Sequence, residues 1–157
     1  MSTPTKPRPV AVRLATPDDA ETVGNLVGEF AAHQSQSDDV TGDVTTWRAL
    51  LARPEVTILL AEVDEQPVGY VSAVRRLHLW TADDLVVLDD LYVRDGHRDR
   101  GIGLLLMHEL SKRADNLTIT WGVQPENHAA IRFYERLGAT ARTKVMCAWP
   151  PARRTRK

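Results

Sequence analysis

Leu88-Asp89-Asp90-Leu91-Tyr92-Val93-Arg94-Asp95-Gly96-His97-Arg98-Asp99-Arg100-Gly101-Ile102-Gly103 joins an acid-bearing apolar strand to a glycine-punctuated loop that opens directly into a helix. The first amides of a helix lack intrahelical partners, the helix dipole favours negative charge beside them, and glycines let the main chain approach an anion without a Cβ in the way. Arg98-x-x-Gly101-x-Gly103 therefore reads as a grip on a diphosphate, made by Arg98, Asp99, Arg100, Gly101, Ile102, Gly103 and Leu104. Two nucleotide classes are excluded. Leu106 stands where a dinucleotide fingerprint needs its third glycine, and Leu104-Leu105 follow Gly103 where a P-loop needs Lys-Ser/Thr.

Outward from this segment the hydrophobic periods switch in an α/β order. Val10, Val12 and Leu14 alternate as a strand, and Thr16-Pro17-Asp18-Asp19 supplies an N-cap, a proline at the first helical position and an acid at the third. Ala20, Val23, Leu26, Val27 and Phe30 give the following helix one apolar stripe. After a polar segment from His33 to Thr46, Trp47, Leu50 and Leu51 predict a short second helix. Glu55 to Val63 and Val68 to Val74 form a hairpin about Asp64-Glu65-Gln66-Pro67, and Leu85 to Val93 is the next strand. A helix from Gly101 to about Ala114 turns Ile102, Leu105, Leu106 and Leu110 inward. Leu117 to Val123 is a further strand, and a final helix, about Glu126 to Leu137, stops at Gly138. Thr140 to Trp149 reads as a last strand or strand pair. The expected fold is α/β: a mixed sheet flanked by about four helices, with two consecutive strand-loop-helix units at its centre.

With 157 residues, 43% of them hydrophobic, the chain has material for one sizeable core. One domain is expected over residues 10–149, between a proline-rich, disordered lead-in (1–9) and a basic tail (150–157). A net charge of −1 gives no global field for nucleic acid. Arg153, Arg154, Arg156 and Lys157 read as a solvated, frayed end rather than an RNA contact. The single Cys147 excludes an internal disulfide and fits a reducing, cytoplasmic setting. No apolar run has the length of a membrane span, and the N-terminus lacks the apolar core of a secretory signal, so no membrane partner is expected. His97, His108 and His128 lack metal-ligand spacing, so no metal is assigned, and His97 is expected on the loop surface.

Arg98-x-x-Gly101-x-Gly103 after Leu88-Asp89-Asp90-Leu91-Tyr92-Val93 resembles the acetyl-CoA-binding segment of the GCN5-related N-acetyltransferases (GNAT). A second block is similar to that family's later strand and helix: Trp121-Gly122-Val123, then Pro125 to Gly138 with Asn127, Ala130, Phe133, Tyr134 and Gly138 at matching positions. The resemblance spans about Val10 to Trp149 and implies a largely antiparallel sheet whose central parallel pair, Leu85–Val93 and Leu117–Val123, splays apart. The pantetheine arm of acetyl-CoA, a co-substrate, would lie in that opening against main-chain groups of Leu91, Tyr92 and Val93. Asn127 and Ala130 would flank it, and Tyr134 would protonate the departing thiolate.

The reaction implied is acetyl transfer to a primary amine by direct attack in a ternary complex. An alkyl ammonium with a pKa of about 10.4 must first lose a proton. Asp89 is the expected acceptor-side acid, directly or through a water, since Asp is one methylene shorter than the Glu usual in relatives. Strand alternation predicts that Asp89, Leu91 and Val93 share one face and Asp90 and Tyr92 the other. Asp90 is then a structural acid held by nearby backbone N–H groups. The acceptor site would draw on Phe30 to Trp47, an Arg75 to Asp84 loop and the Asp89 face. Its acids (Glu29, Asp38, Asp39, Asp43, Asp83, Asp84, Asp89) favour a small cationic amine, and the strand looks like that of the polyamine-type branch. Trp47 and Trp80 are pocket or packing residues on this reading. Protein or peptide N-termini, lysines, amino acids and aminoglycosides remain open as acceptors, as does a non-catalytic acyl-CoA sensor. Dimerisation is common among relatives, and a homodimer is a further expectation.

Overall fold

The computed structural model describes residues 8–154. Most of the expected disordered lead-in (1–7) and the end of the basic tail, Arg156 and Lys157 included, lie outside them. The chain divides into two compact units, Met1–Trp121 and Gly122–Lys157.

The first unit runs β1 (Val10–Leu14), α1 (Ala20–His33), α2 (Val44–Leu51), β2 (Val56–Val63), β3 (Gln66–His78), β4 (Asp83–Val93), α3 (Ile102–Ala114) and β5 (Ile119–Thr120). The sheet order is β1-β2-β3-β4-β5. All neighbours are antiparallel except β4 and β5, which run parallel. In β2, consecutive residues Ile58 to Ala61 are all buried, because both faces of the sheet are covered. On one face, Val23 and Leu26 of α1 meet Ile58, Leu60, Tyr70 and Tyr92, with Trp47, Leu50 and Leu51 of α2 packed around them. On the other, α3 packs across β1 to β4, burying Ile102, Leu106, Met107 and Leu110. Met107 takes the buried place expected of Leu105, which is half-buried.

The entry to α1 is fixed as its sequence predicts. Thr16 N–H donates to Asp19 Oδ2 at 2.8 Å, and Arg13 grips both Asp19 oxygens at 2.8 and 2.9 Å. The guanidinium holds the Asp19 carboxyl down at about 2, against an ordinary 3.8. A carboxylate lowered by folding stabilises the native state above its unfolded pKa and loses that contribution as pH falls through the folded value. Urea denaturation followed from about pH 6 to about pH 2 is expected to show this loss in the wild type and not in Asp19→Asn.

The β2–β3 hairpin turns on Asp64 and Glu65, both at positive φ (51° and 63°), as a two-residue turn matched to strand twist requires. The stretch 75–84, expected as a loop, is not one. Arg75 pairs with Val86 and His78 with Asp83, so β3 and β4 extend into an arm whose tip carries Trp80, 95% exposed. Ladder pairing and the Arg75–Asp84 ion pair (2.5 Å) carry polar residues into a strand that periodicity ends at Val74.

In the second unit, α4 (His128–Arg136) is capped by Asn127, whose Oδ1 accepts from Ala130 N–H at 3.1 Å, and Gly138 follows it at φ 93°. The strand expected over Thr140 to Trp149 does not form; the segment is irregular and exposed. A β-rich run becomes a strand only when a ladder satisfies its backbone, and no strand lies among the described residues of this unit to supply one. At the described start of the tail, Trp149 Nε1 donates to the Arg153 carbonyl at 3.3 Å, and Arg154 lies 5.8 Å over the Trp149 ring.

Candidate active site

The β3–β4 ladder slips by one residue beside the acids. Leu88 pairs with Ala73 and Asp90 with Ser72, which leaves Asp89 as the extra residue of a β-bulge. The bulge overturns the expected alternation. Leu88 falls in register with Ala73, while Asp90 and Tyr92 fall in register with Ser72 and Tyr70, so parity changes between residues 88 and 90. Asp89 and Asp90 consequently line the same cavity on the α1/α2 face, rather than opposite faces of the sheet.

Their environments differ. The Asp90 carboxyl is held by a side chain rather than by the nearby backbone N–H groups expected of it: Tyr70 Oη donates to its Oδ2 at 2.9 Å, while the Asp90 N–H donates to Ser72 Oγ at 3.1 Å. Burial pushes the Asp90 carboxyl up, and the Tyr70 and Ser72 hydrogen bonds oppose that shift. Asp89 is also pushed up, by desolvation first and by the Asp90 charge second. Asp90 is thus tied to β3 through Tyr70 and Ser72, while Asp89 beside it is the more exposed of the two. Tyr70 and Ser72 escaped the sequence reading, although they are the hydroxyl residues of an otherwise apolar strand stretch, Val68 to Val74.

The cavity over the pair measures about 170 Å³, and its walls include Val27, Trp47, Leu50 and Ile58. A wider cavity of about 430 Å³ has Asp39, Thr41 and Gly42 on its rim and shares Val27, Trp47 and Leu50 with the first. Other acids expected at the acceptor site are committed elsewhere: Asp43 caps α2 through Thr46 N–H (2.8 Å), Asp84 pairs with Arg75, and Glu29 pairs with Arg94. Trp47 lines both cavities, whereas Trp80 lines neither.

From the bulge, Leu91, Tyr92 and Val93 lead into the loop. The β4–β5 ladder comprises Val86–Ile119 and Val87–Thr120 alone, so β4 beyond Val87 has no parallel partner among the described residues. Backbone groups along Leu91 to Val93 are thereby offered on that edge, as the splayed pair requires. Arg94 then clamps the strand end: it holds Glu29 of α1 at 2.6 and 2.8 Å and donates to the Pro67 carbonyl at 2.8 Å. Arg98 Nε donates to the Val93 carbonyl at 2.9 Å, bracing the loop from within. Asp99 and Gly101 take positive φ (59° and 74°), and Gly101 caps α3, leaving the first-turn amides of Ile102, Gly103 and Leu104 at an open helix end with no acid in the turn. His97 is half-buried rather than on the surface, and its Nδ1 is enclosed without a partner among the described residues.

Breaking the clamp should loosen the loop and leave the acid pair in place. For Glu29→Gln the expected result is an acetyl-CoA KM raised about fivefold, equivalent to about 1 kcal/mol, with kcat nearly unchanged. Steady-state kinetics with varied acetyl-CoA measure it.

In the second unit, Ala130, Ile131, Phe133, Tyr134 and Leu137 are the half-buried positions of α4 and its C-cap, and the Phe133 and Tyr134 rings meet edge-on at 5.2 Å. Desolvation raises the Tyr134 phenol above its ordinary value, so it remains protonated at neutral pH. Asn127 spends its oxygen on the helix cap and presents its Nδ2 amide as a donor. Among the described residues, no three His, Cys, Asp or Glu side chains are grouped to hold a metal.

Residues 25–139 match the model of the Acetyltransferase (GNAT) family. The chain belongs to that family. It is an acetyltransferase, similar to a D-amino-acid N-acetyltransferase of Saccharomyces cerevisiae, with 27% identity over 82% of this chain and 83% of the relative. Its fold is shared with an aminoglycoside acetyltransferase from an uncultured soil metagenomic sample, solved with trehalose (TM-score 0.78, 17% identity, 90% of this chain and 95% of that one). It is shared also with AAC(6')-Iy bound to the bisubstrate analogue CoA-S-monomethyl-acetylneamine (TM-score 0.70, 17% identity, 90% and 98%). At such identities these two likenesses are of fold.

Proposed function

We propose that this GNAT acetyltransferase transfers an acetyl group from acetyl-CoA to the primary amine of a small cationic acceptor. The observation that carries the reading is the bulge, which brings Asp89 and Asp90 to one apolar-walled cavity. A positively charged acceptor is drawn to two carboxylates, whereas the carboxylate of an amino acid is repelled by them. A polyamine-type acceptor, expected from the Leu88 to Val93 strand, is consistent with this charge.

The residues offered to the CoA moiety fit it. The open end of α3 and the Arg98 to Leu104 loop suit a diphosphate, and the enclosed His97 Nδ1 is a polar atom that a ligand oxygen or hydroxyl would satisfy. Asn127 and Ala130 flank the pantetheine arm, as the resemblance implies. In the transfer, the amine lone pair forms the new C–N bond at the thioester carbonyl and the C–S bond breaks. Before the attack Asp89 takes one proton from the ammonium, directly or across one water. As the C–S bond breaks the thiolate takes the phenolic proton of Tyr134, and the second proton, shed by the nitrogen once the C–N bond has formed, returns through solvent to the phenolate. A main-chain N–H of Leu91 or Val93 steadies the charge on the carbonyl oxygen.

A thiol-release assay with acetyl-CoA against short diamines, aminoglycosides, D-amino acids and peptides tests the reading. Turnover is expected for the diamines; release confined to peptides would replace the acceptor assignment, and release with no amine would remove it.

A further inference from the structure

The two cavities on the α1/α2 face meet at one aromatic side chain. Trp47 lines the 170 Å³ chamber over Asp89 and Asp90 and also the 430 Å³ outer cavity beside Asp39. It is held fast. Its Nε1 donates to the Gly42 carbonyl at 3.2 Å, and a Cβ on Gly24 or on Gly42 would come within 3.1 or 3.3 Å of the indole. Bare backbone thus abuts the ring at both points, and a side chain at either would require the indole to give by a few tenths of an ångström. A wall fixed in this way is a boundary rather than a mobile lid.

From this geometry we infer that Trp47 is a specificity-determining partition that limits the acyl acceptor to an amine on a short, slender frame. The inference rests on Asp89 serving as the acceptor-side acid. A cavity of about 150 Å³ accommodates a benzene-sized guest, so the 170 Å³ chamber takes about six heavy atoms. A four- or five-carbon aliphatic amine fits this volume, and a multi-ring aminosugar does not. A longer acceptor would extend beyond this volume, and the neighbouring cavity on the far side of Trp47 offers Asp39 to a second cation. The aminoglycoside-directed structures that share this fold therefore do not foretell the acceptor of this chain.

The test compares wild type, Trp47→Phe and Trp47→Ala, with putrescine and kanamycin as probes. Turnover is read by thiol release, amine binding by calorimetry in the presence of CoA, and folding by thermal melting. In the wild type, kcat/KM is expected to favour putrescine by about 100-fold, the discrimination a well-fitted apolar wall supplies. Trp47→Ala is expected to cut that preference at least tenfold, and Trp47→Phe by about threefold. If the alanine variant fails to fold, the phenylalanine variant carries the comparison. A preference unchanged in either folded variant, or a wild type that favours kanamycin, overturns the partition. Should no amine be acetylated, the parent reading falls, and the calorimetric preference still decides the partition: it must shift with Trp47 or the inference fails.

Discussion

Replacing Tyr134 with phenylalanine is expected to lower kcat about 100-fold, a loss of about 3 kcal/mol of transition-state stabilisation, while acetyl-CoA binding by calorimetry changes less than about twofold. The thiolate released by acyl transfer is a poor leaving group unless it is protonated as the bond breaks. A phenol raised by desolvation keeps its proton at neutral pH and above, and so is always in the form that can donate it. Phenylalanine preserves the ring contact with Phe133 and the helix stripe, so the substitution removes one oxygen and little packing. A variant with the wild-type rate would assign the proton to solvent. Loss of acetyl-CoA binding in parallel with kcat would make Tyr134 a binding residue.

The second large effect belongs to Asp89. Asp89→Asn is expected to reduce kcat/KM for the amine about 100-fold at neutral pH and to abolish the acid limb of its pH profile. Because partial desolvation, at a residue still open to solvent, and the neighbouring Asp90 charge both raise Asp89, that limb should lie above the ordinary carboxylate range in the wild type. The same shift carries a stability sign. The folded state holds this proton more tightly than the unfolded chain does, so stability falls as pH climbs through the ordinary carboxylate range and into the raised one. Asp89→Asn removes that penalty and should therefore melt higher than wild type at neutral pH while losing activity, the pattern of a residue kept for chemistry at a cost to the fold. An acid limb that survives the substitution would move the proton acceptor elsewhere.

Glu29 and Arg94 show where local pattern runs out. Neither stands out in a strand or helix read alone, yet the pair ties the acceptor-side helix to the strand end from which the loop departs. The partners are 65 residues apart, and a contact of that separation leaves no trace in local periodicity. The same holds for Tyr70 and Asp90, joined across neighbouring strands. The C-terminal segment shows the converse failure: Thr140 to Trp149 has strand propensity, and no ladder receives it among the described residues of its own unit.

The elements that follow from period and capping were legible in the chain itself: the boxed start of α1, the hairpin about Asp64 to Pro67, the glycine-opened start of α3 and the Gly138 stop of α4 are each written in a few adjacent residues. Backbone sterics and orphaned helix-end groups act over that same short range, which is why they can be read there. Whether Asp89 and Asp90 share a cavity was settled only when β4 met β3. One extra residue in a ladder reverses every facing beyond it, and register is a property of two strands together that neither carries alone.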